Sequence, residues 1–226
     1  METKSHSYQV AVAANQNIKE RDYWLDKLAG ADRKTFLYDF AKNKDVEPGV
    51  ASLKFTIDGE LYSKLTALSS NSDYSLHIVL TAVLTLLLGK YNHADDLMIG
   101  TPIYKQNMDI EFVNTVLVLR SRLTAGMSFK DLLLQVKQTV LEAAEHQNYP
   151  IYVLPERLNI PVTGDGNPFF DVALLVERIH NKKDIAESCY RMLFSFSRTG
   201  TRLEIDLEYD TCFYRRGSVQ RILRHF

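Results

Sequence analysis

The sequence predicts a mixed fold of the α/β or α+β class, with a largely antiparallel sheet packed by helices. Three observations carry the prediction. Helical and strand patterns are mixed along the chain. Near its end, two strand patterns follow each other with only a turn between them. Tyr190, Met192, Phe194 and Phe196 alternate with Arg191, Leu193, Ser195 and Ser197. After Arg198-Thr199-Gly200-Thr201, the residues Leu203, Ile205, Leu207 and Tyr209 alternate with Arg202, Glu204, Asp206, Glu208 and Asp210. Successive strand side chains point to opposite faces, so this is an antiparallel hairpin with one buried and one charged face. The third observation is composition. With 46% hydrophobic and 24% charged residues in 226, the chain has material for a core and is not disordered.

The elements follow in order. Residues 1–16 read as a flexible leader. Asn17 to Ala29 reads as a helix: Ile18, Leu25 and Leu28 recur near helical spacing, Trp24 widens the face, and Gly30 stands where a helix stops. Residues 31–49 are polar and irregular and end in the turn signal Glu47-Pro48-Gly49. Val50 to Ile57 alternates as a strand, and Glu60 to Ser70 is a short helix. Ser75 to Tyr91 is a buried helix. Its apolar stretch Leu76 to Leu88, about thirteen residues broken by His77, Thr81 and Thr85, is shorter than the roughly 20 that cross a bilayer. Asp95-Asp96 opens the apolar strand Leu97-Met98-Ile99, which Gly100-Thr101-Pro102 ends or bends. Phe112 to Arg120 is β-rich. Phe129 to about Glu145 is a helix with Phe129, Leu132, Leu133, Val136 and Val140 on one face. Ser128 is its N-cap, and Asp131 makes a weaker version of the capping box. Asp171 to Val176 adds a strand, and Val219 to Phe226 a final helix.

Composition also excludes functions. Lys+Arg is 27 and Asp+Glu 28, a net charge of −1, which gives no electrostatic basis for wrapping nucleic acid. The start METKSHSYQV has no apolar h-region, so no signal peptide is expected. Cys189 and Cys212 form no C-x-x-C pair and read as two reduced core thiols of a cytoplasmic protein. There is no G-x-G-x-x-G, Walker A or G-x-S-x-G motif, and Gly164-Asp165-Gly166 is a lone turn sequence. The histidines are His6, His77, His93, His146, His180 and His225, with no two three or four residues apart, so no metal site is expected. His146 reads as a helix-end histidine, favoured by the dipole there. Arg215, Arg216, Arg221 and Arg224 read as a solvated helix face, and Asp95-Asp96 as a solvated turn.

Several stretches together resemble the condensation domains of nonribosomal peptide synthetases. Asp96-Leu97-Met98-Ile99-Gly100-Thr101-Pro102 is similar to a D-[ILV]-[ILV]-[ILV]-G-T-P stretch of that family. Phe112-Val113-Asn114-Thr115, followed by Leu119-Arg120, resembles F-V-N-T…R. His146-Gln147-Asn148-Tyr149-Pro150 resembles H-Q-D-x-P, and Asn167-Pro168-Phe169-Phe170 the end of R-N-P-L-F. Arg21-Asp22-Tyr23-Trp24 through Leu28-Ala29-Gly30 is similar to Y-W-x-x-x-L-x-G. The chain departs at Asn148 for Asp, at Ile151-Tyr152 for Phe-Glu, at Gly166 for Arg, and at Glu111, where a Gly is usual.

The family's catalytic signature, H-H-x-x-x-D-G, has no counterpart. Asp-Gly occurs at Asp58-Gly59 and Asp165-Gly166, but the paired positions before them hold Leu53-Lys54 and Ile160-Pro161, and no two histidines are adjacent. No catalytic residue is therefore assigned. The resemblance implies the C-terminal lobe alone, residues 17–226, of a two-lobed chloramphenicol acetyltransferase-like fold. It implies a truncated domain, inactive alone, that acts as a structural or docking module. The alternative it leaves is half of a split acyltransferase, completed by a histidine-bearing N-terminal lobe. A free-standing small acyltransferase would also need the paired histidines. The implied partners are an adenylation domain, a peptidyl carrier protein with its phosphopantetheine arm, and that N-terminal lobe. No cofactor is expected to bind directly, and no nucleic acid or membrane is an expected partner. The candidate tunnel or lobe-interface residues are Asn114, Thr115, His146 and Gln147. Asn114 is equally readable as a buried asparagine that satisfies backbone groups.

Overall fold

The computed structural model describes residues 17–31, 36–40, 49–105, 114–162 and 166–226. The leader 1–16, the Glu47-Pro48 part of the turn signal, Phe112-Val113 at the head of the expected strand, and Gly164-Asp165 lie outside the described residues.

The strands are β1 (Val50–Ile57), β2 (Asp96–Pro102), β3 (Val116–Arg122), β4 (Val172–Val176), β5 (Met192–Thr199) and β6 (Arg202–Asp210), and they form one sheet in the order β1-β6-β5-β4-β2-β3. The β1/β6, β6/β5 and β2/β3 pairs are antiparallel, and β5/β4 and β4/β2 are parallel. The hairpin forms in the expected register, with Phe194 opposite Leu207 and Phe196 opposite Ile205, around a turn where Gly200 has φ +57°. In β6 the odd positions are buried, and of the even ones Arg202 is exposed and the rest half-buried, as the alternation predicts. In β5 both faces are buried from Met192 to Phe196.

The strand runs on through Gly100 and Thr101 and ends at Pro102, the last residue of the expected Gly100-Thr101-Pro102 stop. β2 pairs with β3 as far as Pro102 opposite Val116. Proline is tolerated there because it is the last strand residue. Gly100 is needed for packing rather than for a turn, since a Cβ at that position would run into the Phe170 ring.

The helices are α1 (Ile18–Leu28), α2 (Gly59–Leu68), α3 (Asp73–Asn92), α4 (Phe129–Glu145), a short α5 (Leu154–Arg157) and α6 (Arg216–His225). α3 is longer than its apolar stretch because Ser72 caps it, accepting from the Ser75 amide at 3.4 Å, and it ends at His93 in a left-handed conformation. Leu76, Leu80, Leu84 and Leu88 along it belong to the core. α4 makes the full capping box: Asp131 N donates to Ser128 Oγ, and the Asp131 carboxylate accepts from Ser128 N, each at 3.2 Å. Of its expected face, Leu132, Val136 and Val140 are buried, while Phe129 is exposed.

α4 also closes the outer edge of β3. The Gln135 amide accepts from Arg122 N at 2.8 Å and donates to Arg122 O at 3.0 Å, as a neighbouring strand would. α6 starts at Arg216, ahead of the expected Val219, because Asp39 caps it from elsewhere in the chain. The Asp39 carboxylate accepts from Arg215 N at 2.8 Å and from Ser218 Oγ at 2.6 Å. Its arginines are solvated as expected. Both cysteines are free, and the expected core placement holds for Cys212. Cys189 is exposed, on a turn where its φ is +52°. Two turns of 3-10 helix, Ile151–Val153 and Lys182–Ile185, and α5 have no counterpart in the sequence pattern.

Candidate functional site

Three side chains join the recognised stretches to one another. Arg120, on β3, is almost fully buried. Its guanidinium makes a two-pronged pair with the Asp96 carboxylate on β2, Nε–Oδ1 being 2.8 Å. Its Nη1 donates to the carbonyls of Lys27 at 2.9 Å and Ala29 at 2.8 Å, which end α1 and would otherwise lack partners. The planar fork suits this task because it serves a carboxylate and two carbonyls at once. Asp96 is therefore an ion-pair partner, not a solvated turn residue; Arg122 approaches it as well, at 3.6 Å. Hydrogen bonding from Arg120 holds the Asp96 carboxyl below its usual range, and the same bond raises the guanidinium.

Asn114 is fully buried. Its amide donates to Val116 O at 2.7 Å and Gln147 O at 3.0 Å, so the reading of a buried asparagine that satisfies backbone groups describes it. Gln147 is buried beside it and accepts from Tyr104 N at 3.4 Å. His146 caps α4. Its Nδ1–H donates to Glu142 O at 2.8 Å, and its ring stacks on Tyr23 with centroids 4.1 Å apart. Trp24, from α1, donates its indole N–H to His146 O at 2.9 Å. The expected site residues Asn114, His146 and Gln147 thus meet at one turn.

Thr115 faces outward. Its carbonyl accepts from Ile103 N at 3.0 Å, and its side chain helps line a cleft of about 430 Å³. Ile151, Tyr152, Gly166 to Phe169 and Glu187 to Cys189 complete the lining. Asn167 shapes the near wall: its Oδ1 accepts from the amides of Phe169 at 2.9 Å and Phe170 at 3.3 Å, and its Nδ2 donates to Ser188 O at 3.0 Å. The sequence reading picked Thr115 in this cleft and missed the turn that carries Cys189, for which no local signal exists.

A second missed group lies behind the turn. His77 on α3, Tyr104 after β2 and His180 after β4 form a buried cluster, with His77 Nδ1 3.1 Å from Tyr104 Oη and Nε2 3.3 Å from Thr101 Oγ1. Burial pushes the His77 imidazole down to about 3 and His180 well below its ordinary value. The available signal was a histidine interrupting an apolar helix. Among the described residues, no three His, Cys, Asp or Glu side chains come together as a metal centre would need.

The arrangement fixes chain segments. Asn114, Arg120 and Trp24 donate to backbone carbonyls, Arg120 also pairs with the Asp96 carboxylate, and Gln147 accepts a backbone N–H, which builds a wall beside an open cleft; Asn114 Oδ1 is buried with no hydrogen-bond partner among the described residues.

The profile of the condensation domain matches residues 4–226. The chain is 30% identical over 245 residues to tyrocidine synthase 2 of Brevibacillus parabrevis, covering 97% of this chain and 7% of that protein. It is likewise 30% identical over 241 residues to surfactin synthase subunit 1 of Bacillus subtilis (strain 168), covering 97% and 7%. The chain is therefore a small part of the length of these relatives. Among solved structures, the X-domain from teicoplanin biosynthesis superposes with a TM-score of 0.77 at 20% identity, over 97% of this chain and 55% of that one. A starter condensation domain of rhizomide synthetase gives 0.71 at 18%, over 99% and 52%. These likenesses establish the fold, a chloramphenicol acetyltransferase-like arrangement of a mixed sheet and helices. With the profile match and the synthetase relatives, they show that the chain belongs to the condensation-domain family of nonribosomal peptide synthetases.

Proposed function

We propose that this chain is the C-terminal lobe of a condensation domain, inactive in amide-bond formation alone, and that it acts as a structural and docking module beside an adenylation domain or a carrier protein. One observation carries the reading: none of the six histidines is next to another, so the sequence holds no H-H-x-x-x-D-G motif. A general base must lie within hydrogen-bond reach of the proton it takes. Coverage of about half of each solved condensation-type chain supports the assignment to one lobe. In this reading Asn114 and Gln147 stiffen a wall, and Thr115 belongs to the face that a histidine-bearing lobe would meet. A carrier's phosphopantetheine arm would bring the thioester, in the cytoplasm.

The open cleft at Thr115 favours a second reading, in which another chain completes a working acyltransferase. Acyl transfer from a carrier-bound thioester to an amine separates the two. The purified chain should give no turnover by itself. Turnover only after a histidine-bearing N-terminal lobe is added would favour the split enzyme, and turnover by the chain alone would sink the proposal.

A further inference from the structure

The buried cluster behind the candidate site has a property that neither the fold nor the family assignment needs. His180 is 1% exposed. Its Nδ1 accepts the Val176 amide proton at 3.0 Å, so its own proton must reside on Nε2. That Nε2–H is buried and has no hydrogen-bond partner among the described residues. A second proton could only go to Nδ1, where it would point at the Val176 N–H. Donor would face donor, and the bond would break. His77 differs, because the hydroxyls of Tyr104 and Thr101 can turn to accept from either of its nitrogens.

The charged surroundings give a cation no help. His180 faces His77 at 4.7 Å and Tyr104 at 4.8 Å between ring centroids, and the charge of Lys105 also disfavours a cation there. The Lys105 ammonium is held by Glu177 O at 2.6 Å. Asp184 lies toward Lys105, and Asp73 at the start of α3 is engaged by Arg198 and Arg178. Among the described residues, no hydrogen bond or ion pair joins a carboxylate to either imidazole.

Tyr104 links this cluster to the candidate site. Its hydroxyl meets His77, and it bridges His180 in antiparallel fashion. Its amide donates to Gln147, while the flanking amides of Ile103 and Lys105 donate to Thr115 O and to Ile179 O at 2.8 Å.

We infer that His77, Tyr104 and His180 are positioning residues: as a neutral cluster they clamp the Ile103–Lys105 segment onto Thr115 and Gln147, and a proton on His180 releases it. The clamp rests on geometry. Its bearing on a lobe interface rests on the reading above, and the test uses this chain alone, so the two can fail separately.

The sign follows from linkage. Burial lowers the folded value below the ordinary 6.5, so the open form takes the proton first and opening grows as pH falls. Between about pH 7.5 and 5, each histidine freed by opening should raise the open population roughly thirtyfold. The measurement is amide exchange by NMR, corrected for the intrinsic effect of pH, at Ile103 and Lys105. Wild-type protection there should fall at least that much, with a smaller denaturant slope than amides of the β5–β6 hairpin. In His180→Asn, whose Oδ1 can accept from Val176 N, the fall should shrink by roughly the same factor. The inference is overturned if the variant keeps the wild-type pH dependence, or if the segment shows the hairpin's denaturant slope, which would mean global unfolding alone. A second readout needs no variant. Imidazole nitrogen shifts of the wild type should show His180 as the Nε2–H tautomer, and an Nδ1–H tautomer at neutral pH would also refute the clamp.

Discussion

Replacing Arg120 with lysine should destabilise the chain although the charge is kept. Arg120 makes a fork to Asp96 and two bonds to the carbonyls that end α1. A lysine ammonium is a point donor and cannot span both. Hydrogen bonds to charged groups contribute about 1.5–3 kcal/mol each. Losing the two carbonyl bonds, with some solvent reaching the site because Asp96 is 30% exposed, should cost about 2–4 kcal/mol. Arg120→Met should cost about 3–5 kcal/mol, since Asp96 would keep only the mostly exposed Arg122. Domains of this kind hold about 5–15 kcal/mol in total, so either loss is large. Urea unfolding followed by the fluorescence of Trp24, the chain's one tryptophan, reports on α1 directly. There is also a signature in pH. The folded Asp96 value is depressed, so its contribution is present above the ordinary 3.8 and is lost as pH falls through the folded value. The gap between wild type and Arg120→Met should therefore narrow below about pH 4. A lysine variant within about 0.5 kcal/mol of wild type, or a gap unchanged by acid, would refute the reasoning.

Two further substitutions probe the same framework. Gly100→Ala should destabilise by about 3 kcal/mol, because its methyl meets the Phe170 ring, and adding Phe170→Leu should recover part of the loss in urea melts; no recovery would mean that the close approach is not the cause. Asn114→Ala should cost about 2 kcal/mol by leaving the buried carbonyls of Val116 and Gln147 without a donor, and a calorimetric melt indistinguishable from wild type would contradict that.

What could be read in the sequence was local. The β5–β6 hairpin was legible because a strand's faces alternate residue by residue, and the cap of α4 because Ser128 and Asp131 are three apart. The packing role of Gly100 was hidden, since it depends on a ring at Phe170 far along the chain. The start of α6 was hidden for the same reason, its cap being the distant Asp39. At the site, the motif residues Asn114 and Gln147 were found, but nothing local ties His77 to His180, which meet only after α3 and β4 have packed.

Residues that match the family's motifs hold the frame together, and three of them, Thr115, Asn167 and Pro168, also share the cleft lining with the departures. The matching ones form joints between motifs: Arg120 with Asp96 and the end of α1, Asn114 with Gln147, Trp24 with His146, and Gly100 under Phe170. Each joint needs both members, because removing one leaves a buried donor, acceptor or void. Of the departures within the described residues, Asn148 is exposed, while Ile151, Tyr152 and Gly166 all line the cleft beside Thr115. Where the family's pattern would bring an arginine, a phenylalanine and a glutamate, this chain presents a glycine, an isoleucine and a tyrosine, and Glu187 is the one acidic residue of the lining among the described residues. The substitutions leave the frame intact and change the chemistry of its open wall: relative to the family's pattern, an arginine and a glutamate give way to a glycine and a tyrosine.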